Sequence, residues 1–190
     1  MVVTFGCWTG LSRNDSPPRP AVRARRSDCS GRDAVWPDRN TEALTPEQVA
    51  HCQRAWALVT EGGLAIPLDF TRASADYTAT TYNEAERTVY LGANALPHET
   101  AVSANARLSL LACLVHEYAH AERHRVGYER PRVLPDVLLD EAEASIHAVF
   151  HRILWRKDRE DLMEDARDRL VNWLELAHDS HGNEGEGHEG

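Results

Sequence analysis

Residues 108–124 read Leu108-Ser109-Leu110-Leu111-Ala112-Cys113-Leu114-Val115-His116-Glu117-Tyr118-Ala119-His120-Ala121-Glu122-Arg123-His124. An apolar run covering nearly every side of a helix leads into His116-Glu117-x-x-His120, so three polar side chains are carried into the interior. Buried polar groups need partners, and a metal ion is one. At about 100° per residue, a helix predicted from Val102 to about Arg125 sets Ser109, Ala112, Cys113, His116 and His120 on one side. Small residues then precede the histidines along the line where another helix can approach. Leu111, Leu114, Val115 and Tyr118 point elsewhere, towards a sheet and a first helix.

The spacing carries chemistry. Residues four apart lie one turn apart on the same face, so His116 and His120 can aim two imidazoles at one point, a good pair for zinc. Glu117 beside them reaches a water held there rather than the ion, the position a general base needs in metal-assisted hydrolysis. Ten histidines and seventeen glutamates in 190 residues give an expected chance count of roughly 0.05 for this pattern, so context has to support it. The context is a strong helix, an apolar lead-in and a carboxylate-bearing helix downstream.

Outward from this helix, the chain reads as one α+β domain over residues 44–178. Thr45-Pro46-Glu47-Gln48 combines an N-cap threonine, a proline at the first helical position and a capping-box glutamine, opening a helix that runs to about Thr60 before Gly62-Gly63. Three short strands follow, at Leu64–Phe70, Asp76–Tyr82 and Arg87–Ala93, the last two joined as a hairpin across Asn83-Glu84-Ala85-Glu86. Pro67 confines the first to a sheet edge. A loop with Gly127, Pro131 and Pro135 leads to a helix from Asp136 to Trp155. Another runs from Lys157 to about Ala177, with Leu162, Ala166, Leu170, Trp173 and Leu174 at helical spacing. The expected architecture is a small, mostly antiparallel three-stranded sheet packed on the histidine-bearing helix and two to three further helices.

The ends differ in kind. Residues 1–43, with Pro17-Pro18-Arg19-Pro20 and Arg23-Ala24-Arg25-Arg26, have no periodicity and read as a disordered leader, in which Trp8 and Trp36 are candidates for docking on the domain. Asp28, Asp33 and Asp38 offset the arginine cluster, favouring a solvated tail over a nucleic-acid arm. Residues 179–190 read as a disordered polar tail whose His181 and His188 are solvated.

A net charge of −9 argues against general affinity for nucleic acid or anionic membrane, since phosphate binding needs a basic surface. Cys7, Cys29, Cys52 and Cys113 form no C-x-x-C pair, which points to reduced thiols and a cytoplasmic protein. No stretch approaches the roughly 18 apolar residues of a membrane span, and Met1–Gly10 lacks the pattern of a secretory signal.

A further protein ligand has to come from elsewhere. Position 126, where a metzincin carries its third histidine, is Val126, which excludes that subclass. Downstream, Leu138-Leu139-Asp140-Glu141-Ala142-Glu143-Ala144-Ser145 offers three acids about twenty residues past His120. That distance allows a second helix to pack back on the first. His116-Glu117-Tyr118-Ala119-His120 followed by Glu141-Ala142-Glu143-Ala144-Ser145 resembles the gluzincin metallopeptidases. It most resembles the ImmA/IrrE-type branch, which cleaves phage-immunity and stress-response repressors. The likeness spans roughly Tyr82 to Phe150, includes His124 four residues after His120, and departs where Ser145 replaces an Asn. It implies a minimal zincin-like domain, a zinc ion held by His116, His120 and Glu141, and Glu117 as general base. Glu143 is the alternative third ligand, about 200° round the helix from Glu141.

Other polar residues read more plainly. Glu143, His147 and His151 form a stripe at four-residue spacing, a polar face more than a second metal site. His124 is a candidate for orienting a ligand or touching substrate. Ser145 is shorter than Asn, so any bond from it to a ligand histidine needs different geometry or a water. Tyr128, Arg123, His147 and His151 are the candidates for stabilising an oxyanion. The expected function is zinc-dependent peptide hydrolysis, a limited cut in a cytoplasmic protein, with the strand Arg87–Ala93 pairing an extended protein or peptide substrate. The alternative is a catalytically weak or inactive binding module with a structural zinc. No nucleic-acid or membrane partner is expected of the folded domain.

Overall fold

Thr45 caps the first helix, α1 (Pro46–Thr60), with both halves of the capping box made: its hydroxyl accepts from the Gln48 backbone N–H, and the Gln48 side chain accepts from the Thr45 backbone. One face of α1 buries Cys52, Ala55, Trp56 and Val59, and the Trp56 indole donates to the Ile66 carbonyl at 2.8 Å. This computed structural model describes residues 39–71, 73, 79–97 and 103–182, with side chains as far as 178. The readings made for residues 1–38, for the first three residues of the strand starting at Asp76, and for the side chains of His181 and His188 lie outside the described residues.

Among the described residues the fold is α+β, with five α-helices and a small three-stranded sheet. The strands are shorter than predicted: β1 (Leu68–Asp69), β2 (Thr81–Asn83) and β3 (Thr88–Tyr90). The predicted hairpin forms, with β2 antiparallel to β3 and Tyr82 opposite Val89. Its turn uses Asn83 Oδ1, which accepts from Glu86 N at 3.0 Å, and Arg87 in the left-handed region at φ 51°. The sheet is mixed rather than mostly antiparallel, because β1 pairs parallel to β3 on the side away from β2. The order β1-β3-β2 puts β3 in the centre with both edges taken. The strand predicted to bind an extended substrate therefore has no free edge, and β2 lies at the edge next to the histidine helix.

The single long helix predicted from Val102 is two. α2 (Ala104–Arg107) ends at Leu108, and α3 (Leu110–Arg125) restarts from Ser109, whose hydroxyl accepts from Ala112 N and donates to Asp158. Ser109 is thus a cap, not a member of the helix face. Ten residues of α3 are buried, among them His116, Glu117 and His120. Tyr118 of α3 packs edge-on against Trp56, and its hydroxyl accepts from Leu64 N.

α4 (Asp136–Ala148) stops seven residues short of the predicted Trp155. The reason lies in α5 (Arg156–Gly182): Arg159 donates to the carbonyls of Val149, His151 and Leu154, satisfying chain that has left the helix. α5 packs along α4 and also touches α2 and α3. Its inner stripe mixes apolar Leu162 and Ala166 with buried Asp158, Asp161, Asp165 and Arg169. No helix among the described residues is long and apolar enough to cross a membrane.

Residues ahead of the predicted domain start at 44 already belong to this packing. The Arg39 side chain is buried and donates to the carbonyls of Asn94, Ala95, Asn105 and Leu108, tying the short 3-10 turn at Ala93–Ala95 to α2.

Candidate metal centre

α3 presents His116 and His120 one turn apart, with their Nε2 atoms 3.2 Å from each other. α4 packs against α3 and brings in Glu141, whose Oε2 lies 3.1 Å from His116 Nε2 and whose Oε1 lies 3.5 Å from His120 Nε2. The candidate ligand atoms of these three residues all lie within 4.8 Å of one another, a group able to hold a metal ion.

The surroundings prepare the nitrogens. Asp165 on α5 accepts from Ser145 Oγ at 2.6 Å and from Arg169 Nε at 2.8 Å. A carboxylate can only accept, so the single hydroxyl proton of Ser145 points to Asp165 and Ser145 Oγ accepts in turn from His116 Nδ1 at 3.0 Å. That leaves His116 Nε2 as the nitrogen facing Glu141. Ser145 thus reaches the candidate ligand His116 directly, through a different geometry rather than a water, the two routes its shorter side chain left open. His120 is held neutral: burial lowers its pKa to about 4, against the raising influence of Glu141. Its Nδ1 is buried without a hydrogen-bond partner, 3.7 Å from Asp140 Oδ2. His116 Nε2, His120 Nε2 and a Glu141 carboxylate oxygen thus converge on one point, while His120 Nδ1 stays buried without a partner. The donor set of two imidazole nitrogens and one carboxylate oxygen fits a divalent ion with an open position.

Glu141 carries more than the histidines. Arg169 donates to its Oε2 at 2.9 Å and Arg130 to its Oε1. Burial alone raises the Glu141 carboxyl, but Arg169 and the two histidines outweigh it and hold it well below the usual carboxylate range. Glu143, the alternative ligand, faces away and binds Arg123 Nη2 at 2.5 Å. Asp140 is buried between Arg123, at 2.6 Å, and Arg130, at 2.9 Å. The three acids of the run thus take three different tasks.

Glu117 stands on α3 beside the cluster and accepts from the Tyr82 backbone N–H on β2 at 2.8 Å. Burial pushes its carboxyl up from the ordinary range, partly countered by His116. A raised carboxylate is a better proton acceptor near neutral pH. His124 Nδ1 meets the Tyr82 hydroxyl at 2.9 Å, fixing the edge strand to α3 by a second bond.

The predicted oxyanion groups are engaged elsewhere. Arg123 is held by Asp140 and Glu143 and lies 4.0 Å over the Tyr128 ring. His147 pairs with Glu122 at 2.9 Å, and His151 packs on Tyr118. The stripe Glu143–His147–His151 therefore divides among unrelated partners. Sequence reasoning passed over Arg130, Asp165 and Arg169. For the last two a signal existed: with Asp158, Asp161, Leu162 and Ala166 they recur every three or four residues, charges sharing the apolar face of α5. Arg130 lies in a loop, where no periodicity marks it.

Comparison of the chain with protein-family models, characterised proteins and solved structures found no match.

Proposed function

We propose that this chain is a zinc-dependent metallopeptidase of the gluzincin kind, built on a minimal zincin-like domain, with a protein or peptide as substrate. The observation that carries the reading is the convergence of His116, His120 and Glu141 atoms within 4.8 Å, next to a buried Glu117 that is not part of that group. A bound divalent ion supplies Lewis acidity there, making a water acidic near neutral pH and polarising the scissile carbonyl. Glu117 takes the proton from the attacking water and passes it to the leaving amine nitrogen as the C–N bond breaks. Ser145 and Asp165 hold His116 in the tautomer that keeps Nε2 free. The edge strand β2, tied to α3 through Tyr82, offers backbone for an extended substrate.

The test is paired. Wild-type protein is expected to bind one zinc per chain and to cleave members of a peptide library, and Glu117→Gln to keep the zinc and lose cleavage by about 100-fold or more. Undiminished cleavage by that variant sinks the mechanism. One observation favours a second reading, a binding module with a structural ion: two guanidinium groups already neutralise Glu141. Stoichiometric zinc, no cleavage of any library member and a stable partner complex would support it.

A further inference from the structure

Peptide hydrolysis needs a donor for the charge that develops on the carbonyl oxygen; of the groups predicted for that task, Arg123 and His147 are paired with acids, the Tyr128 ring lies under Arg123, and His151 packs on Tyr118 away from the cluster. We propose that Arg130 is the residue that binds the scissile carbonyl oxygen of the substrate and stabilises its negative charge in the transition state. This rests on the hydrolytic reading of the site above.

Three arginines stand around the cluster, and their exposure separates them. Each bridges two acidic residues, but the Arg169 side chain is only 4 % exposed and that of Arg123 11 %. Arg130 is 22 % exposed. Its Nε donates to Asp140 and its Nη2 to Glu141 Oε1, while Nη1 has no partner among the described residues. The guanidinium is therefore one carboxylate oxygen away from the point where the ligands converge, and it retains donors for an incoming oxygen.

The backbone places it with equal care. Arg130 N donates to Glu84 Oε1 at 3.1 Å, fixing the loop after α3 to the turn between β2 and β3. The residue thus connects the end of the edge strand with α4, next to the β2 backbone on which an extended chain would pair. As the water oxygen bonds to the carbonyl carbon, the C=O π pair moves onto oxygen and accepts N–H bonds from Arg130. When the C–N bond breaks the pair returns, leaving a carboxylic acid and an amine.

The experiment uses the full chain loaded with zinc, as wild type, Arg130→Ala and Arg130→Lys. Zinc content should be the same in all three. Arg130→Ala should lower kcat by ~100- to 1000-fold with KM little changed, and Arg130→Lys should recover part of the loss. Added guanidinium ion at millimolar concentration should restore activity to Arg130→Ala and do nothing for wild type. A second probe needs no turnover: N-phosphoryl-Leu-Trp, whose tetrahedral oxyanion mimics the transition state, should bind wild type and lose affinity in Arg130→Ala by a factor similar to the kcat loss. Acetohydroxamate, which carries no such oxyanion, should bind both alike. Loss of zinc in both variants, an unchanged kcat, or equal phosphoryl-peptide affinity in wild type and Arg130→Ala each overturns the assignment. If wild type cleaves and Arg130→Ala cleaves equally well, only Arg130 loses its role. If wild type neither cleaves nor binds the phosphoryl peptide, the hydrolytic reading falls and the Arg130 assignment with it.

Discussion

Ser145 Oγ lies 3.0 Å from His116 Nδ1, so a residue of α4 dictates which nitrogen of an α3 histidine carries the proton. Behind Ser145 stands Asp165, at 2.6 Å, on a third helix. Ser145→Ala and Asp165→Asn should therefore weaken zinc binding by about 10- to 100-fold, measured by competition with a chelating dye. Equal affinity in all three proteins would show that the relay has no bearing on the ligand.

Glu141 and Glu143 can be told apart by metal content alone. Glu141→Gln should abolish stoichiometric zinc, whereas Glu143→Gln, which only frees the exposed end of Arg123, should keep it. The reverse pattern in elemental analysis would reassign the ligand.

Arg39 is a stability anchor far from the metal cluster in sequence. Its guanidinium serves four carbonyl oxygens, at 2.5 to 3.3 Å, that no alanine can reach. Arg39→Ala should cost about 3 kcal/mol or more in urea unfolding, since buried acceptors left unpaired cost roughly 1–3 kcal/mol each. A change below about 0.5 kcal/mol, the size of an ordinary surface substitution, would mean that water replaces the side chain.

Gly63 has no room for a side chain. A Cβ there would overlap the Tyr118 hydroxyl and lie 3.3 Å from its Cζ, and that ring is held by Leu64 N and Trp56. Gly63→Ala should lose about 1–3 kcal/mol through overpacking, and Tyr118→Phe on that background should recover part of it. A thermal scan of the single and double variants decides.

The two described cysteines set an alkaline limit. Burial pushes Cys52, with help from Cys113, up to about 11, and burial does the same to Cys113 against the pull of Arg39. An unfolded thiol loses its proton near 9.0, so the native state holds more protons than the unfolded one between about pH 9 and 11. Stability is then fully present below pH 9 and falls as pH rises through that window. In native protein Cys52 should resist iodoacetamide at pH 8 and react once the chain is unfolded in urea, read by mass mapping of its peptide; rapid native alkylation at Cys52 would contradict its burial.

The histidine helix was legible because i and i+4 imidazoles after an apolar run leave a pattern that only one secondary structure satisfies. The cap at Thr45 and the hairpin at Asn83 were legible for a similar reason: local chemistry decides them. The break at Leu108-Ser109 was not, because Ser109 fits either a helix face or a cap, and its bond to Asp158 forty-nine residues away settles the matter. The end of α4 depends on Arg159 in the same way. The parallel seat of β1 follows from how the chain returns across the sheet, which two-residue strands do not announce. Asp165 and Arg169 were hidden because a binary reading scores every charge as outward-facing.

That last helix has a thermodynamic consequence. Asp165 and Arg169 reach the cluster only while α5 is docked, so releasing the helix removes the groups that orient His116 and hold Glu141. Ion affinity and helix docking then form a linked equilibrium: an ion present at a hundred times its dissociation constant adds about 2.7 kcal/mol to the assembled state. Conversely, anything that pries α5 loose would compete with an ion at the cluster without touching it.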